Sequence, residues 1–182
     1  MLIRKLYKFE GAHIVRNCSS RHCRENIHGH SYIVEVFLTS DGLDDGYMVM
    51  DFCRLAPVKE LIESFDHTYS LWNRENDELK GFIYKYNRRV AEIPVSPSAE
   101  GYALMFLYMI DRILRTLPPV NGEKNVRLSS VRVHETATGY AEAFRDDLKL
   151  IKFAASDIRF SEGVTGEWKT GEWWQAITRQ DL

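Results

Sequence analysis

Several features that would mark a particular class of protein are missing or scarce in this sequence. Only 3 of the 182 residues are cysteines, an odd and small number that argues against a disulfide framework and favours the cytoplasm. No apolar run reaches the ~18 residues that a membrane-spanning helix needs. The first residues, MLIRKLYKFEGAH, alternate polar and apolar side chains and lack the apolar core of a signal peptide.

An excess of charge of either sign is also absent. Lys and Arg number 24, Asp and Glu number 26, and the formal net charge is −2. This balance argues against a nucleic-acid-binding protein, but it leaves room for a local basic pocket that holds a phosphorylated small molecule. Because 45% of the residues are hydrophobic, a chain of this length can bury the core of one domain.

Hydrophobic periodicity predicts an α+β fold. Period-two alternation and turn residues predict four strands, at residues 2–14, 28–39, 126–135 and 139–145. Helical spacing predicts one helix at 52–64 and a second that begins at Ser96-Pro97, with Ser96 as N-cap, and ends at Pro118-Pro119. The order strand–strand–helix–helix–strand–strand predicts a four-stranded antiparallel sheet with two helices packed on one face.

Two segments fall outside this pattern. Residues 68–93 are charged and aromatic, contain a possible helix at Asp77–Tyr86, and are interpreted as an insertion. Residues 146–182 carry three tryptophans between glycines and charged residues, and we expect them to form an extension that packs on the body or on another subunit. The main domain is therefore predicted to span residues 1–145.

Three histidines form the clearest chemical pattern. His28 and His30 lie two apart on a predicted strand, so both rings point to the same, otherwise apolar face. His13 lies near the end of the preceding strand, which could pair with this one. Three neutral imidazoles that converge without a fourth protein ligand are typical of a catalytic zinc, whose remaining position takes water or substrate.

Two other interpretations of these residues stay open. The histidines could be core residues that form hydrogen bonds with the backbone. Alternatively, Cys18, His22 and Cys23 could form a structural zinc site, although no second cysteine pair completes it.

Short motifs in a fixed order resemble a known family. They are Phe9-Glu10-Gly11-Ala12-His13, Cys23 followed by His28-Gly29-His30, Met48-Val49-Met50-Asp51-Phe52, Phe65-Asp66-His67, Pro97-Ser98-Ala99-Glu100 and His134-Glu135-Thr136. Together they resemble the 6-pyruvoyltetrahydropterin synthase family, in particular its bacterial branch, the 6-carboxytetrahydropterin synthases of queuosine biosynthesis. The resemblance covers roughly residues 3–145.

The resemblance implies a tunnelling fold (T-fold), in which several subunits form a barrel with active sites between them, here most simply a homo-hexamer. It also implies a lyase that binds zinc through His13, His28 and His30 and acts on 7,8-dihydroneopterin triphosphate. The implied product is 6-carboxy-5,6,7,8-tetrahydropterin. Neither a nucleic acid nor a membrane is expected as a partner.

The same resemblance assigns roles to five further residues. Cys23 is the expected base, since a thiolate forms readily beside a cation or metal, and Asp66 and His67 are the second proton-transfer pair. Glu135 is expected to accept two parallel hydrogen bonds from the pterin. Glu100 is expected to contact the substrate, although an acidic residue at a helix N-terminus is also favourable on its own. Arg4, Lys5, Arg16, Arg21 and Arg24 are candidates for the triphosphate.

One departure from the family patterns keeps other products open. Four residues separate Cys23 from His28, a spacing intermediate between the three typical of carboxytetrahydropterin synthases and the five typical of pyruvoyl synthases. Glu25 is a competing base, because some relatives use a glutamate in this loop and release 6-hydroxymethyl-dihydropterin for folate synthesis. The alternatives are therefore a pyruvoyl synthase, a folate-pathway aldolase, or a non-catalytic protein that binds metal or pterin.

Overall fold

A computed structural model describes residues 1–181, and a mixed β-sheet forms its centre. Seven strands lie in the described part of the chain: β1 Leu2–His13, β2 His28–Thr39, β3 Thr68–Trp72, β4 Val90–Ile93, β5 Arg127–Thr136, β6 Gly139–Phe144 and β7 Arg159–Phe160. Their order across the sheet is β6-β5-β2-β1-β3-β4-β7. Antiparallel pairing joins β6, β5, β2 and β1, whereas β3 runs parallel to β1 and β4 runs parallel to β3.

Helices connect and cover these strands. They are α1 Arg21–Glu25, α2 Ala56–Glu63, α3 Asp77–Tyr86, α4 Ala99–Thr116, α5 Glu162–Thr165 and α6 Glu172–Thr178. Helix α4 packs on β5 and β6, and α2 packs on β1. The apolar sides of both helices meet the even-numbered residues of β2, so that Val34, Val36 and Leu38 are completely buried. The main core therefore lies between the helices and one face of the sheet. None of the helices described here is long and apolar enough to cross a membrane.

The prediction of a four-stranded, wholly antiparallel sheet is wrong, although the α+β class and the four predicted strands are present. Segment 68–93 adds β3 and β4 to the sheet, and the C-terminal segment adds β7. The added strands β3 and β4 are only five and four residues long. Both are buried at almost every position, so they lack the alternation that identifies a half-exposed strand. The helix expected at Asp77–Tyr86 is confirmed as α3.

The second predicted helix begins later than expected. Ser98, not Ser96, is the N-cap of α4, and its hydroxyl accepts a hydrogen bond from the backbone N–H of Gly101. Pro97 lies before the helix, and its carbonyl oxygen is directed at His13 instead. The residue that precedes the N-cap of α4 is therefore in contact with one of the three histidines.

The C-terminal segment packs on the body of the same chain. Trp173 and Ile177 are buried in the main core. The Glu60 carboxylate of α2 accepts hydrogen bonds from the Lys169 backbone N–H and the Trp173 indole N–H, both at 2.6 Å. The division into a domain at 1–145 and an extension at 146–182 stays a prediction.

Candidate metal centre and active site

The register of β1 and β2 brings the three histidines together. His13 is paired directly with His28, and Gly11 is paired with His30. One ligand nitrogen from each of the three rings lies within 4.8 Å of the others. Glycine at position 29 is required between the two β2 histidines, because a Cβ there would approach the Gly11 carbonyl oxygen to 2.7 Å. The convergence predicted from spacing is thus present at the end of the hairpin.

Backbone carbonyls fix the orientation of two of the rings. Nδ1 of His13 lies 2.6 Å from the Pro97 carbonyl oxygen, and Nδ1 of His28 lies 3.1 Å from the Asn26 carbonyl oxygen. Because a carbonyl oxygen only accepts, each Nδ1 is the donor of its hydrogen bond, which leaves Nε2 of each ring directed into the cluster. These two Nε2 atoms face each other at 3.1 Å. Metal-binding histidines are commonly oriented in this way by their second nitrogen.

Burial keeps His13 uncharged. Its side chain is fully buried, and this burial is the main cause that lowers the pKa of His13 to about 4. His28 and His30 lower the pKa further, against the raising effect of the hydrogen bond to Pro97. A neutral imidazole is the form that binds a metal.

Glu135 of β5 lies beside the histidine cluster and shares its strand parity with the buried Val131 and Val133. Its Oε1 is 3.6 Å from Nε2 of His13 and 3.9 Å from Nε2 of His30. The hydroxyl of Tyr32 donates a hydrogen bond to Glu135 at 3.4 Å. No Lys or Arg in the described residues pairs with this carboxylate, so it can accept hydrogen bonds from a ligand.

Asp66 and His67 form a hydrogen-bonded pair at the end of α2. The Oδ2 of Asp66 is 2.9 Å from Nδ1 of His67, and Oδ1 accepts the backbone N–H of Glu10 at 2.8 Å. Burial opposes ionisation of Asp66, but the hydrogen bonds from Glu10 and His67 and the charges of His67 and Arg89 hold its pKa below the usual value. The ring of His67 is 73% exposed. It lines a depression of ≈ 420 Å³ that His30 also lines, whereas His13, His28 and Glu135 do not line it.

Cys23 lies in the short helix α1 of the loop that precedes β2. Its thiol is partly buried and reduced, and its carbonyl oxygen accepts the backbone N–H of Val15 at 3.1 Å. Across the described residues, no hydrogen bond links this thiol to the histidines. Glu25, the competing base, is paired with Arg21 and Arg24 at 3.2 and 3.3 Å.

The candidate arginines for a triphosphate already form ion pairs with carboxylates of this chain. Arg16 forms an ion pair with the largely buried Glu75 at 2.8 Å and donates to the Arg24 carbonyl oxygen at 2.7 Å. Arg24 donates to loop carbonyls as well as to Glu25. Glu75 belongs to segment 68–93, so that segment anchors the loop that carries Cys23.

Glu100 is not brought into the cluster by any hydrogen bond or ion pair of the described residues. It is exposed in the first turn of α4, a position that is favourable for an acidic side chain in any helix. The alternative of a structural site formed by Cys18, His22 and Cys23 also gains no support, because the metal-type grouping in the described residues is the histidine triad.

Sequence reasoning missed two contributors to the site. The hydroxyl of Tyr32 lies 3.1 Å from Nδ1 of His13, and burial raises the pKa of Tyr32 well above its usual range. Tyr32 continues the parity of His28 and His30, which was the available signal. The role of the Pro97 carbonyl could not have been predicted, because every residue carries a backbone carbonyl and the sequence does not show which one meets His13.

The fold and the site define an α+β protein with a three-histidine centre of the kind that holds a metal. The sequence matches the family described as 6-pyruvoyl tetrahydropterin synthase over residues 2–146. The chain belongs to this family.

Individual relatives extend the comparison. The chain is 42% identical to the 6-carboxy-5,6,7,8-tetrahydropterin synthase of Helicobacter pylori strain J99, over 97% of this chain and 91% of that protein. The match therefore includes segment 68–93 and most of the C-terminal segment. The fold is similar to that of an uncharacterized protein, WS1659, from Wolinella succinogenes, with a TM-score of 0.61, 22% identity and coverage of 80% and 98% of the two chains. It is also similar to the Plasmodium vivax 6-pyruvoyl tetrahydropterin synthase, with a TM-score of 0.54, 20% identity and the same coverages.

Proposed function

We propose that this protein is a zinc-dependent lyase that converts 7,8-dihydroneopterin triphosphate to 6-carboxy-5,6,7,8-tetrahydropterin, in queuosine biosynthesis. The observation that carries the proposal is the convergence of His13, His28 and His30, with Nε2 of His13 and His28 3.1 Å apart and Glu135 beside them. The name of the H. pylori relative, at 42% identity over almost the whole chain, supports the choice of product.

Zinc fits this donor set. Three neutral imidazoles leave the full charge of the ion uncompensated, and two of the rings are already oriented by carbonyl oxygens. When bound, zinc would polarise side-chain oxygens of the substrate and stabilise the negative charge that develops there. The metal would be held by His13, His28 and His30.

The remaining residues have separate tasks. Glu135 would accept the amino group and the ring N–H of the pterin together, because a carboxylate offers two parallel acceptor oxygens. His67 would exchange a proton with the substrate through Nε2, while the Asp66 carboxylate holds the proton on Nδ1. Cys23 would remove a proton as thiolate. Glu100 stays a candidate for substrate binding from the first turn of α4.

The paired state of Glu25 favours Cys23 as the base. Its carboxylate is held in ion pairs with Arg21 and Arg24, so it is less available to a substrate than an unpaired group. We expect Cys23→Ala to lower turnover by about 10²–10⁴-fold, the usual contribution of a general base, with zinc and pterin binding retained. Glu25→Gln is the matched variant and should retain most activity. The opposite result would assign the chemistry to the glutamate and would rule out the carboxytetrahydropterin product.

Product identification decides between the proposal and its alternatives. Purified protein loaded with zinc would be incubated with 7,8-dihydroneopterin triphosphate, and the product would be identified by mass spectrometry. We expect 6-carboxytetrahydropterin. The pyruvoyl compound or 6-hydroxymethyl-dihydropterin would indicate the other members of the family, and unchanged substrate that is retained by the protein would indicate a binding protein.

The exposed position of His67 supports an assembly in which subunits share active sites. A ring that is 73% exposed beside an open depression needs a further wall to exclude water from the reaction. We expect a homo-oligomer, most simply a hexamer, which light scattering after size-exclusion chromatography would detect. The three reduced cysteines are consistent with the cytoplasm as its location.

A further inference from the structure

Arg89, immediately before β4, joins the turn that carries Asp66 and His67 to the C-terminal segment. Its guanidinium donates hydrogen bonds to the carbonyl oxygens of Asp66 at 2.9 Å and Glu63 at 3.1 Å. It also donates to the Gly163 carbonyl oxygen at 3.3 Å and forms an ion pair with Glu167. One side chain therefore connects the turn with residues almost a hundred positions further along the chain.

The turn needs such support because its backbone is strained. His67 has a φ of +51°, a left-handed conformation that is unfavourable for a residue with a Cβ. The backbone N–H of His67 donates to the Glu10 carbonyl oxygen at 2.6 Å, and Thr68 Oγ1 donates to the Asp66 carbonyl oxygen at 3.1 Å. Arg89 adds hydrogen bonds to the carbonyl oxygens of Glu63 and Asp66, which both precede His67 in the chain, and its five fixed donors suit this task.

Residues of the C-terminal segment pack tightly against the backbone next to Arg89. A Cβ at Gly163 would lie 2.2 Å from the Arg88 carbonyl oxygen, so only glycine permits the approach. Ser161 donates through Oγ to the same carbonyl at 2.6 Å. The indole N–H of Trp168 donates to Ser64 Oγ in the turn at 2.8 Å. Arg89, Ser64 and Trp168 line a cavity of ≈ 400 Å³ that Asp66 and His67 also line.

We propose that Arg89, held in place by Glu167, is the positioning residue for the Asp66–His67 pair. By fixing the carbonyls of Glu63 and Asp66, it sets the direction of the Asp66 carboxylate and, through it, the ring of His67. The C-terminal segment thereby acts on the chemistry although it contributes no side chain to the depression that His30 and His67 share. The proposal rests on the proposed function, in which His67 transfers a proton.

Kinetics of four variants test this role. We expect Arg89→Ala to lower kcat by roughly 10–100-fold, since a displacement of about 1 Å can cost 10²-fold, with KM and zinc content within about twofold of wild type. The kcat of Arg89→Lys should lie between those of the wild type and Arg89→Ala, because an ammonium lacks the planar fork of donors that reaches the separate carbonyls. Glu167→Ala should lower kcat by a smaller factor of about 3–10. Arg88→Ala is the control, since Arg88 is exposed and its side chain forms no ion pair within residues 1–181.

A spectroscopic measurement separates this proposal from the proposed function. The ¹⁵N chemical shifts of His67 report which ring nitrogen carries the proton, with or without turnover. We expect protonated Nδ1 in the wild type and in Arg88→Ala, and a mixture of tautomers in Arg89→Ala. If Arg89→Ala does not fold, Glu167→Ala decides, because that side chain is 68% exposed and its loss leaves the core intact.

Two results would overturn the proposal. One is a kcat for Arg89→Ala, or for Glu167→Ala if only that variant folds, that equals the control. The other is an unchanged His67 tautomer in the same variant. If wild-type protein does not convert 7,8-dihydroneopterin triphosphate, the proposed function fails, and the tautomer measurement alone decides the positioning role.

Discussion

The two faces of the sheet carry the same kinds of side chain and use them differently. On the face that packs against α2 and α4, β2 contributes His28 and His30, and β5 contributes Glu135. On the opposite face, β2 contributes Glu35 and β5 contributes His134, because neighbouring positions on a strand point to opposite sides. Each face therefore holds histidine and a carboxylate within a few ångströms, and only their partners differ.

On the opposite face, the charged side chains around Glu35 are paired with one another. Glu35 is buried and accepts hydrogen bonds from Arg132 at 3.2 Å and His134 at 2.9 Å, and it is also paired with Arg4. Arg132 in turn donates to Glu142 at 2.9 Å. Burial opposes the ionisation of Glu35, but the hydrogen bonds from His134 and Arg4 and the charges of both arginines hold its pKa below the usual value. This network is closed and leaves no group for a ligand.

On the helix-covered face, the polar groups converge with no Lys or Arg of residues 1–181 paired to them. The nearest contacts of Glu135 are 3.4 Å or longer, and the Nε2 atoms of His13 and His28 face each other. Three imidazoles that converge beside a carboxylate form a donor set that can hold a metal and a ligand. The comparison shows that partners, and not residue types, distinguish a binding site from a structural network.

The largest expected difference between the two faces is in metal binding, which depends on the histidines of the helix-covered face alone. We expect His28→Ala to abolish zinc binding and turnover while the sheet still forms, because a catalytic zinc is not usually the main support of a fold. His134→Ala is the matched control on the opposite face and should retain full zinc content. Metal content by atomic emission and folding by circular dichroism would be measured for both. Full zinc content in His28→Ala would remove the basis for the histidine centre.

A second prediction concerns the two carboxylates of β5 and β6. Glu135→Gln keeps one acceptor but replaces the other with a donor that would face a donor of the pterin. We expect the binding free energy of a pterin to weaken by about 2–4 kcal/mol. Glu142→Gln, on the opposite face, should leave pterin affinity unchanged. Calorimetric titration measures both, and equal affinity of Glu135→Gln and wild type would mean that Glu135 does not anchor the ring.

The period-two pattern of β2 was sufficient to predict which face of the sheet carries the histidines. His28, His30 and Tyr32 share the parity of Val34 and Val36, so alternation alone placed both histidines on the core side. The sequence indicated that the strand of His13 could pair with β2, whereas the register that sets His13 opposite His28 is a finding of the structure. Family resemblance added Glu135 and the Asp66–His67 pair, which spacing along the chain could not have connected with β2.

The rest depended on tertiary contacts that leave no periodic signal. β3 and β4 are buried on both faces and too short to show alternation, so segment 68–93 could not be recognised as part of the sheet. Glu35 lies 97 residues from Arg132 and 31 from Arg4, and nothing in the local sequence links them. Arg89 and Glu167, which are in contact, also lie far apart in the sequence, at a separation of 78 positions.

The smallest expected effect is a loss of stability when the charged network around Glu35 is changed. Glu35→Gln should lower the free energy of unfolding at pH 7 by about 1–2 kcal/mol, since charged hydrogen bonds are replaced by neutral ones while Arg132 keeps Glu142. Because the folded state lowers the pKa of Glu35, its stabilisation is complete above the unfolded value of about 4.3 and is lost as the pH falls through the folded value.

The difference between wild type and Glu35→Gln should therefore shrink below about pH 4. His13, whose pKa in the folded state is about 4, destabilises the metal-free protein as the pH falls below about 6.5. It does so equally in both proteins, so its effect cancels in the difference. Urea unfolding of the metal-free proteins between pH 7 and 3.5 measures this. A difference that is independent of pH would show that the Glu35 carboxylate contributes no charge-dependent stability, and the contrast between the two faces would then rest on the histidine centre alone.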